Sequence, residues 1–144
     1  MTFPRTVNPL DPASAAYIAG LVDGEGTVTL TRLHLGENRR LVVSISNSDL
    51  RLLEFVLGRV GVGKITRKRT YRPQHAPAFA FQVSGRQALA LLLRITPYMR
   101  SYKAQRAQLA LQKYVAVTPR NGKYTAEILS ARDAFERRFF SMRP

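Results

Sequence analysis

The sequence predicts an α+β domain of element order αββαββα, with one four-stranded antiparallel sheet and extra helices towards the C-terminus. Three observations carry that prediction. Residues 25–34 with 39–46, and residues 63–71 with 78–84, are two pairs of segments in which apolar and polar residues alternate, as in half-buried hairpins. Segments with apolar residues at helical spacing precede, separate and follow these pairs. The two halves therefore read alike, and two hairpins in one sheet with helices on one face make an α+β arrangement.

Taken in order, residues 1–10 are a lead-in holding Pro4 and Pro9. A helix is predicted over 11–24. Asp11 suits its N-cap, Pro12 its first position, and Ile18, Leu21 and Val22 form its apolar stripe. Gly24 or Gly26 should end it. The first strand, about 25–34, puts Thr27, Thr29, Thr31 and Leu33 on one face and Val28 and Leu30 on the other. A turn near Gly36 and Asn38 leads to the second strand, about 39–46. There Arg40, Val42, Ser44 and Ser46 oppose Leu41, Val43 and Ile45. Asn47 or Ser48 is expected to cap a helix over about 49–59, which Gly61-Val62-Gly63 ends. The third strand, about 63–71, carries Lys64, Thr66, Lys68 and Thr70 on one face. After a loop from Pro73 to Pro77, the fourth strand sets Phe79, Phe81 and Val83 against Ala78, Ala80 and Gln82. Helices are predicted over about 86–95, 101–116 and 124–140, separated by Pro97 and by a loop with Pro119, Asn121 and Gly122. The whole is expected to be one domain over 1–144, with a core at about 11–116 and a C-terminal helix at about 124–140.

Composition narrows the function. Lys and Arg number 23 against 9 Asp and Glu, a formal net charge of +14. Such an excess, falling partly on predicted strands, points to a polyanionic partner, with nucleic acid first. There is no cysteine, so disulfides and thiolate metal sites are excluded. The longest plain apolar run, Ala88 to Leu93, is far too short for a membrane span. No signal peptide is recognisable, so an intracellular site is expected, cytoplasmic or nucleoid-associated, with organellar expression left open.

The first helix stands out against this background. Over residues 12–31 the only charges are Asp23 and Glu25, both acids, at the end where the helix dipole disfavours negative charge. A compensating cation is expected there: a metal, an Arg or Lys, or both. Ala16, Gly20 and Gly24 recur every four residues and leave one helix face without bulk, which suits close contact with a second helix.

The string Ile18-Ala19-Gly20-Leu21-Val22-Asp23-Gly24-Glu25-Gly26 resembles the signature of the LAGLIDADG homing endonucleases. Its positions match or are conservative aliphatic or small-residue exchanges, except Glu25, where the family usually has Asp. The element order up to about residue 116 is also that of the family. The resemblance implies a curved, saddle-like sheet lying along a DNA major groove. It also implies site-specific hydrolysis of both strands of a long duplex target, leaving 3′ overhangs, and homodimeric action for a member with one motif.

Further expectations follow from the resemblance together with the residues. Glu25 is expected to bind the catalytic metal, with the Gly24 carbonyl beside it. Mg2+ suits such a site because it keeps several waters and needs few carboxylates; Mn2+ or Ca2+ are expected to substitute in binding. The histidines, His34 and His75, are not spaced as zinc ligands. Asn47 occupies a position where the family often has Gln or Asn near the attacking water, and it also suits a helix cap. Lys103 matches a family lysine that approaches the active site. Arg51 is a weaker candidate for the same basic pocket. Ala16, Gly20, Asp23 and Gly24 are expected at the contact between two copies, Asp23 mainly in a structural role. Thr27, Thr29, Thr31, Leu33, Arg40, Val42, Ser44, Ser46, Lys64, Thr66, Lys68, Thr70, Ala80 and Gln82 are expected to face DNA. Gln105 and Arg106 read as solvated or phosphate-facing. Ile128, Leu129, Phe135, Phe139 and Phe140 read as packing residues, with Arg137, Arg138 and Arg143 near flanking phosphates. Two other functions share this surface. One is an intron-encoded maturase that binds its own intron RNA, and the other is a non-cleaving DNA-binding regulator, for which no separate helix-turn-helix is evident.

Overall fold

The computed structural model describes residues 6–68 and 76–144. Among them the order is α1 (Pro12–Glu25), β1 (Gly26–Thr31), β2 (Arg40–Asn47), α2 (Leu50–Val60), β3 (Lys64–Arg67), β4 (Phe79–Ser84), α3 (Gly85–Ile95), a single 3-10 turn (Thr96–Tyr98), α4 (Tyr102–Lys113) and α5 (Ala126–Ser141). All three strand pairings are antiparallel and the sheet order is β1-β2-β4-β3, so the second strand of each hairpin lies at the centre.

The alternation read from the sequence is the alternation of the two sheet faces. Val28, Val43 and Val83 line up across three strands, as do Ile45, Phe81 and Ile65. They join the core with Ile18 and Val22 of α1, Leu53 and Val56 of α2, and Leu91, Leu92 and Ile95 of α3. Each fully buried side chain of this size contributes about 1.5–3 kcal/mol. Apolar residues on one sheet face thus hold α1, α2 and α3 to one side and leave the other face open.

Several boundaries differ from expectation, each for a local reason. β1 ends at Thr31, where its pairing with Arg40 ends, so Leu33 lies in the connecting loop, 61% exposed, and not on the strand face. Asp49 caps α2, not Asn47 or Ser48: the Asp49 carboxylate accepts the Arg51 N–H at 3.1 Å, and Asn47 is already held at the end of β2. β3 ends at Arg67, while Thr70 and His75 lie outside the described residues. α4 ends at Lys113, and turns carry the chain on through Val117.

Gly26 closes α1 for a reason other than the one expected. Its φ of −113° is open to any residue. A Cβ there would, however, sit 2.6 Å from the Ser44 carbonyl oxygen and 2.7 Å from the Val22 Cα. Glycine is required because the helix tip lies directly on β2.

Candidate nucleic-acid interface and acidic helix tip

Four rows of side chains cross the open face of the sheet. Thr31 stands opposite Arg40, and Thr29 lines up with Val42 and Ser84. Thr27, Ser44, Gln82 and Lys64 follow one another across all four strands, then Ser46, Ala80 and Thr66. The exposed Lys68 lies beyond, its N–H bonded to the Ala78 carbonyl at 2.7 Å. None of these residues is acidic. Hydroxyls, an amide and cations interleave, and the Thr27 and Ser44 hydroxyls bond each other at 2.6 Å. Such a surface can meet phosphates and base edges. Val42 and Ala80 share the face but are only 6% and 8% exposed. They are small side chains on central strands, and their neighbours cover them, so they form its floor.

The acids sit at one end of this face, at the tip of α1. Glu25 is exposed, and its Oε2 accepts a 2.6 Å hydrogen bond from Asn47 Nδ2. The Asn47 amide is oriented from its other side, because its Oδ1 accepts the Asp49 N–H at 2.7 Å. Asn47 therefore both shapes the turn into α2 and steadies the Glu25 carboxylate. Arg51 also lies near this turn, but its guanidinium is forked onto Asp49, with Nε and Nη2 both at 3.2 Å. That pairing holds the Asp49 carboxyl below its ordinary range and raises the Arg51 pKa further.

The compensating cation expected from the dipole is Lys103. Its Nζ donates to the carbonyls of Val22 at 3.0 Å and Asp23 at 2.8 Å, where α1 itself has no basic residue in its last turn. Burial lowers the Lys103 pKa, and the charge of Asp23 pulls it partly back. Asp23, expected at the contact between two copies, points its carboxylate at its own chain. It accepts the backbone N–H groups of Arg100 at 2.7 Å and Ser101 at 3.1 Å, and the Ser101 hydroxyl at 2.6 Å. Ser101 is in turn the N-cap of α4, accepting the Lys103 N–H at 3.2 Å. The negative end of α1 and the positive end of α4 are thus bound reciprocally, carbonyls to a lysine and a carboxylate to amides.

Burial raises the Asp23 pKa, but the bonds from Ser101 and Arg100 and the Lys103 charge outweigh it, and the net direction is downward. A depressed carboxylate stabilises the fold above its unfolded pKa of about 3.9, and that contribution is lost as pH falls through the lower folded value. Asp23→Asn is expected to lower the melting temperature at neutral pH. It should also shrink the further loss seen between about pH 4 and pH 2. Thermal melts across that range test this, and an unchanged acid limb would remove Asp23 from the clamp.

The small-residue face of α1 is open. Ala16, Gly20 and Gly24 are exposed, and a Cβ added at Gly20 or Gly24 would meet nothing within 4 Å. Beside it Tyr17 and Phe55 pack edge to face at 5.6 Å while remaining 48% and 40% exposed.

Two arginines are turned inwards, the first against expectation. Arg106, expected to be solvated or phosphate-facing, donates to the Val28 carbonyl on edge strand β1 at 3.0 Å and to the Met142 carbonyl at 2.9 Å. It is also stacked over Tyr102 and Phe139. Arg132, on α5, is 3% exposed. A sequence signal exists for the second: Arg132 falls on the helical stripe of Ile128, Phe135 and Phe139.

The sequence model of the LAGLIDADG-like domain matches residues 12–97, more than half of the chain. The chain belongs to the LAGLIDADG-like family. The matched span covers the acidic helix tip, the whole sheet and α3. Among solved structures, the homing endonuclease I-CvuI in complex with its target is similar at a TM-score of 0.72 and 19% identity, over 91% of this chain and 82% of that one. The archaeal intron-encoded homing endonuclease I-Vdi141I, complexed with DNA, is similar at 0.62 and 13%, over 92% and 85%. The LAGLIDADG homing endonuclease I-LtrWI, bound to target DNA, is similar at 0.61 and 18%, over 96% of this chain but 48% of that one. At these identities the likeness establishes the LAGLIDADG homing endonuclease fold. Among curated protein sequences no match was found.

Among the described residues no group of three or more His, Asp or Glu side chains could hold a metal, and no helix is long and apolar enough to cross a membrane. One exposed carboxylate, at an electronegative helix end in a chain of charge +14, suits a hard cation that keeps most of its waters.

Proposed function

We propose that this LAGLIDADG protein is a site-specific homing endonuclease. As a homodimer with a divalent metal, it hydrolyses both strands of a long duplex target and leaves 3′ overhangs. The observation that carries the reading is Glu25, an exposed carboxylate that Asn47 holds at one end of a sheet face otherwise free of acids. A non-cleaving DNA reader needs no acid there, since a carboxylate next to a phosphate repels it unless a cation intervenes.

Glu25 and the Gly24 carbonyl would hold Mg2+, with Mn2+ or Ca2+ substituting in binding. A bound divalent cation supplies an activated water and neutralises charge on the phosphate and the leaving oxygen. I-CvuI was crystallised on its target in 2 mM Ca, and on the I-CreI target in 2 mM Mg with the DNA not cleaved. The chain's own residues set the stage. Asn47 fixes the Glu25 rotamer, and Lys103 and Asp23 fix the helix that carries it. Lys103 is thus a positioning residue for the tip as well as a local positive charge. Arg51 is the next cation out. Thr27, Thr29, Thr31, Arg40, Ser44, Ser46, Lys64, Thr66, Lys68 and Gln82 read the groove.

One tip serves one strand, so two copies are needed. The bare face of α1 lets two helices approach about a two-fold axis, and the exposed Tyr17–Phe55 pair supplies apolar area at its flank. This chain covers only 48% of I-LtrWI, so two copies make up about the length of that protein.

The test is a cleavage screen on a randomised duplex library with Mg2+, a chelator control and a salt titration. Cleavage at one family of sites that stops with the chelator is the expected result. Four phosphates neutralised by Lys64 and Lys68 of two copies give a slope of log K against log salt of about −3.6. A flat salt response would overturn duplex binding, and binding without cutting in Mg2+ or Mn2+ would leave a regulator.

A further inference from the structure

The outer end of the recognition face is built where the sheet runs out. β4 makes its last pairing at Ser84, opposite Val42, and the chain turns into α3 at Gly85. β2 continues beyond that point through Arg40, so its backbone on the β4 side needs other partners. They come from the C-terminal helices. The Leu41 N–H donates to the hydroxyl of Tyr114, which is 2% exposed at the end of α4, at 3.3 Å. The carbonyl of Arg39 accepts from the Arg132 guanidinium of α5. Arg132 also donates to the Val117 carbonyl at 2.8 Å, the Thr118 hydroxyl at 3.1 Å and the Tyr124 hydroxyl at 3.3 Å. Its charge is balanced by Glu136 at 3.1 Å, which also pairs with the Arg39 side chain at 2.8 Å. Arg106 adds a second anchor, joining the end of α5 at Met142 to Val28 of β1.

Between these two backbone anchors lies Arg40, the outermost cation of the open face, opposite Thr31. We propose that Tyr114, Arg132 and Glu136 are positioning residues for sequence specificity. They stand in for the missing length of β4 and fix the β2 backbone on either side of Arg40, so that Arg40 and Thr31 read the outermost base pairs of each half-site at defined geometry. The inference rests on the sheet being the DNA-reading surface. A bidentate arginine contact discriminates only if its backbone is held, and a loosened one keeps its charge but loses its choice of base. The effect is therefore local to one end of the site.

Tyr114→Phe removes one hydroxyl and keeps the ring, and Glu136→Gln removes one charge and keeps the shape. Both are suited to variants that still fold, and two measurements separate the possibilities. In the free protein, amide hydrogen exchange at residues 39–41 should speed up about tenfold relative to the rest of the sheet. On a panel of single-base variants of the selected target, discrimination at the outermost base pairs should fall about fivefold or more. At pairs beside the cut it should stay unchanged, and single-turnover cleavage of the intact target should hold. An equal loss at every position, or a lower melting temperature with the same discrimination profile, would overturn the proposal. Unchanged exchange at 39–41 would overturn it whatever the DNA does. Absence of any base discrimination by the unaltered chain would instead overturn the DNA-reading function beneath it.

Discussion

Glu25→Gln is expected to cut strand cleavage by roughly a thousandfold or more, which corresponds to the several kcal/mol that a cation at the phosphate supplies. Binding of the target should stay within about threefold, since phosphate contacts elsewhere on the face set affinity. The substitution is close to isosteric. A Gln side-chain oxygen can still accept from Asn47 Nδ2, so the turn into α2 and the strand end remain as they are. What disappears is one negative charge at a helix C-terminus, where negative charge is unfavourable, so the melting temperature should hold or rise slightly. A loss of cleavage with intact binding and stability assigns the acid to chemistry. Cleavage retained near the original rate, measured in single turnover with Mg2+, would take Glu25 out of the mechanism and the proposed metal with it.

Gly20→Leu should separate the two copies. In the single chain a Cβ at Gly20 meets nothing within 4 Å, so the larger side chain has room. Replacing a mid-helix glycine also favours the helix by about 0.5–1 kcal/mol. Across a two-fold contact the same leucine enters twice. Overpacking of about 1–3 kcal/mol at each copy weakens dimerisation roughly thirtyfold to twenty-thousandfold. Sedimentation should show the shift from dimer to monomer, and double-strand breaks should vanish together with it. A variant that stays dimeric would show that α1 is not the contact. An unaltered chain that is monomeric both free and on DNA would defeat the homodimer altogether.

Much of the fold was legible because it depends on local rules. Thr27, Thr29 and Thr31 against Val28 and Leu30 encode two sheet faces whatever the partner strand, since side chains alternate in any strand. Asp11-Pro12 encodes a helix start without reference to anything distant, and Asp11 does accept the Ser14 N–H at 3.2 Å. The demand for a cation at the tip of α1 was legible too, because two acids at a helix C-terminus are unfavourable by themselves. The loop position of Leu33 and the cap at Asp49 were not, since strand ends depend on where pairing stops, and Asn47, Ser48 and Asp49 are all capable caps.

The sequence by itself determined the amphipathic pattern, the basic excess, the acid-tipped helix and its bare face. Only the tertiary structure decided what answers the acids. Asn47 reaches Glu25 from 22 residues away, and Lys103 reaches the Asp23 carbonyl from 80. Only the tertiary structure, too, turned Arg106 and Arg132 inwards. A guanidinium can be buried when carbonyls, hydroxyls and a carboxylate satisfy its fixed fork of donors. Only the Glu136 carboxylate lies on the same helix as its arginine, one turn from Arg132. The carbonyls and hydroxyls belong to β1, the residue before β2, the segment between α4 and α5 and the chain's last residues, which no spacing along α4 or α5 could bring together.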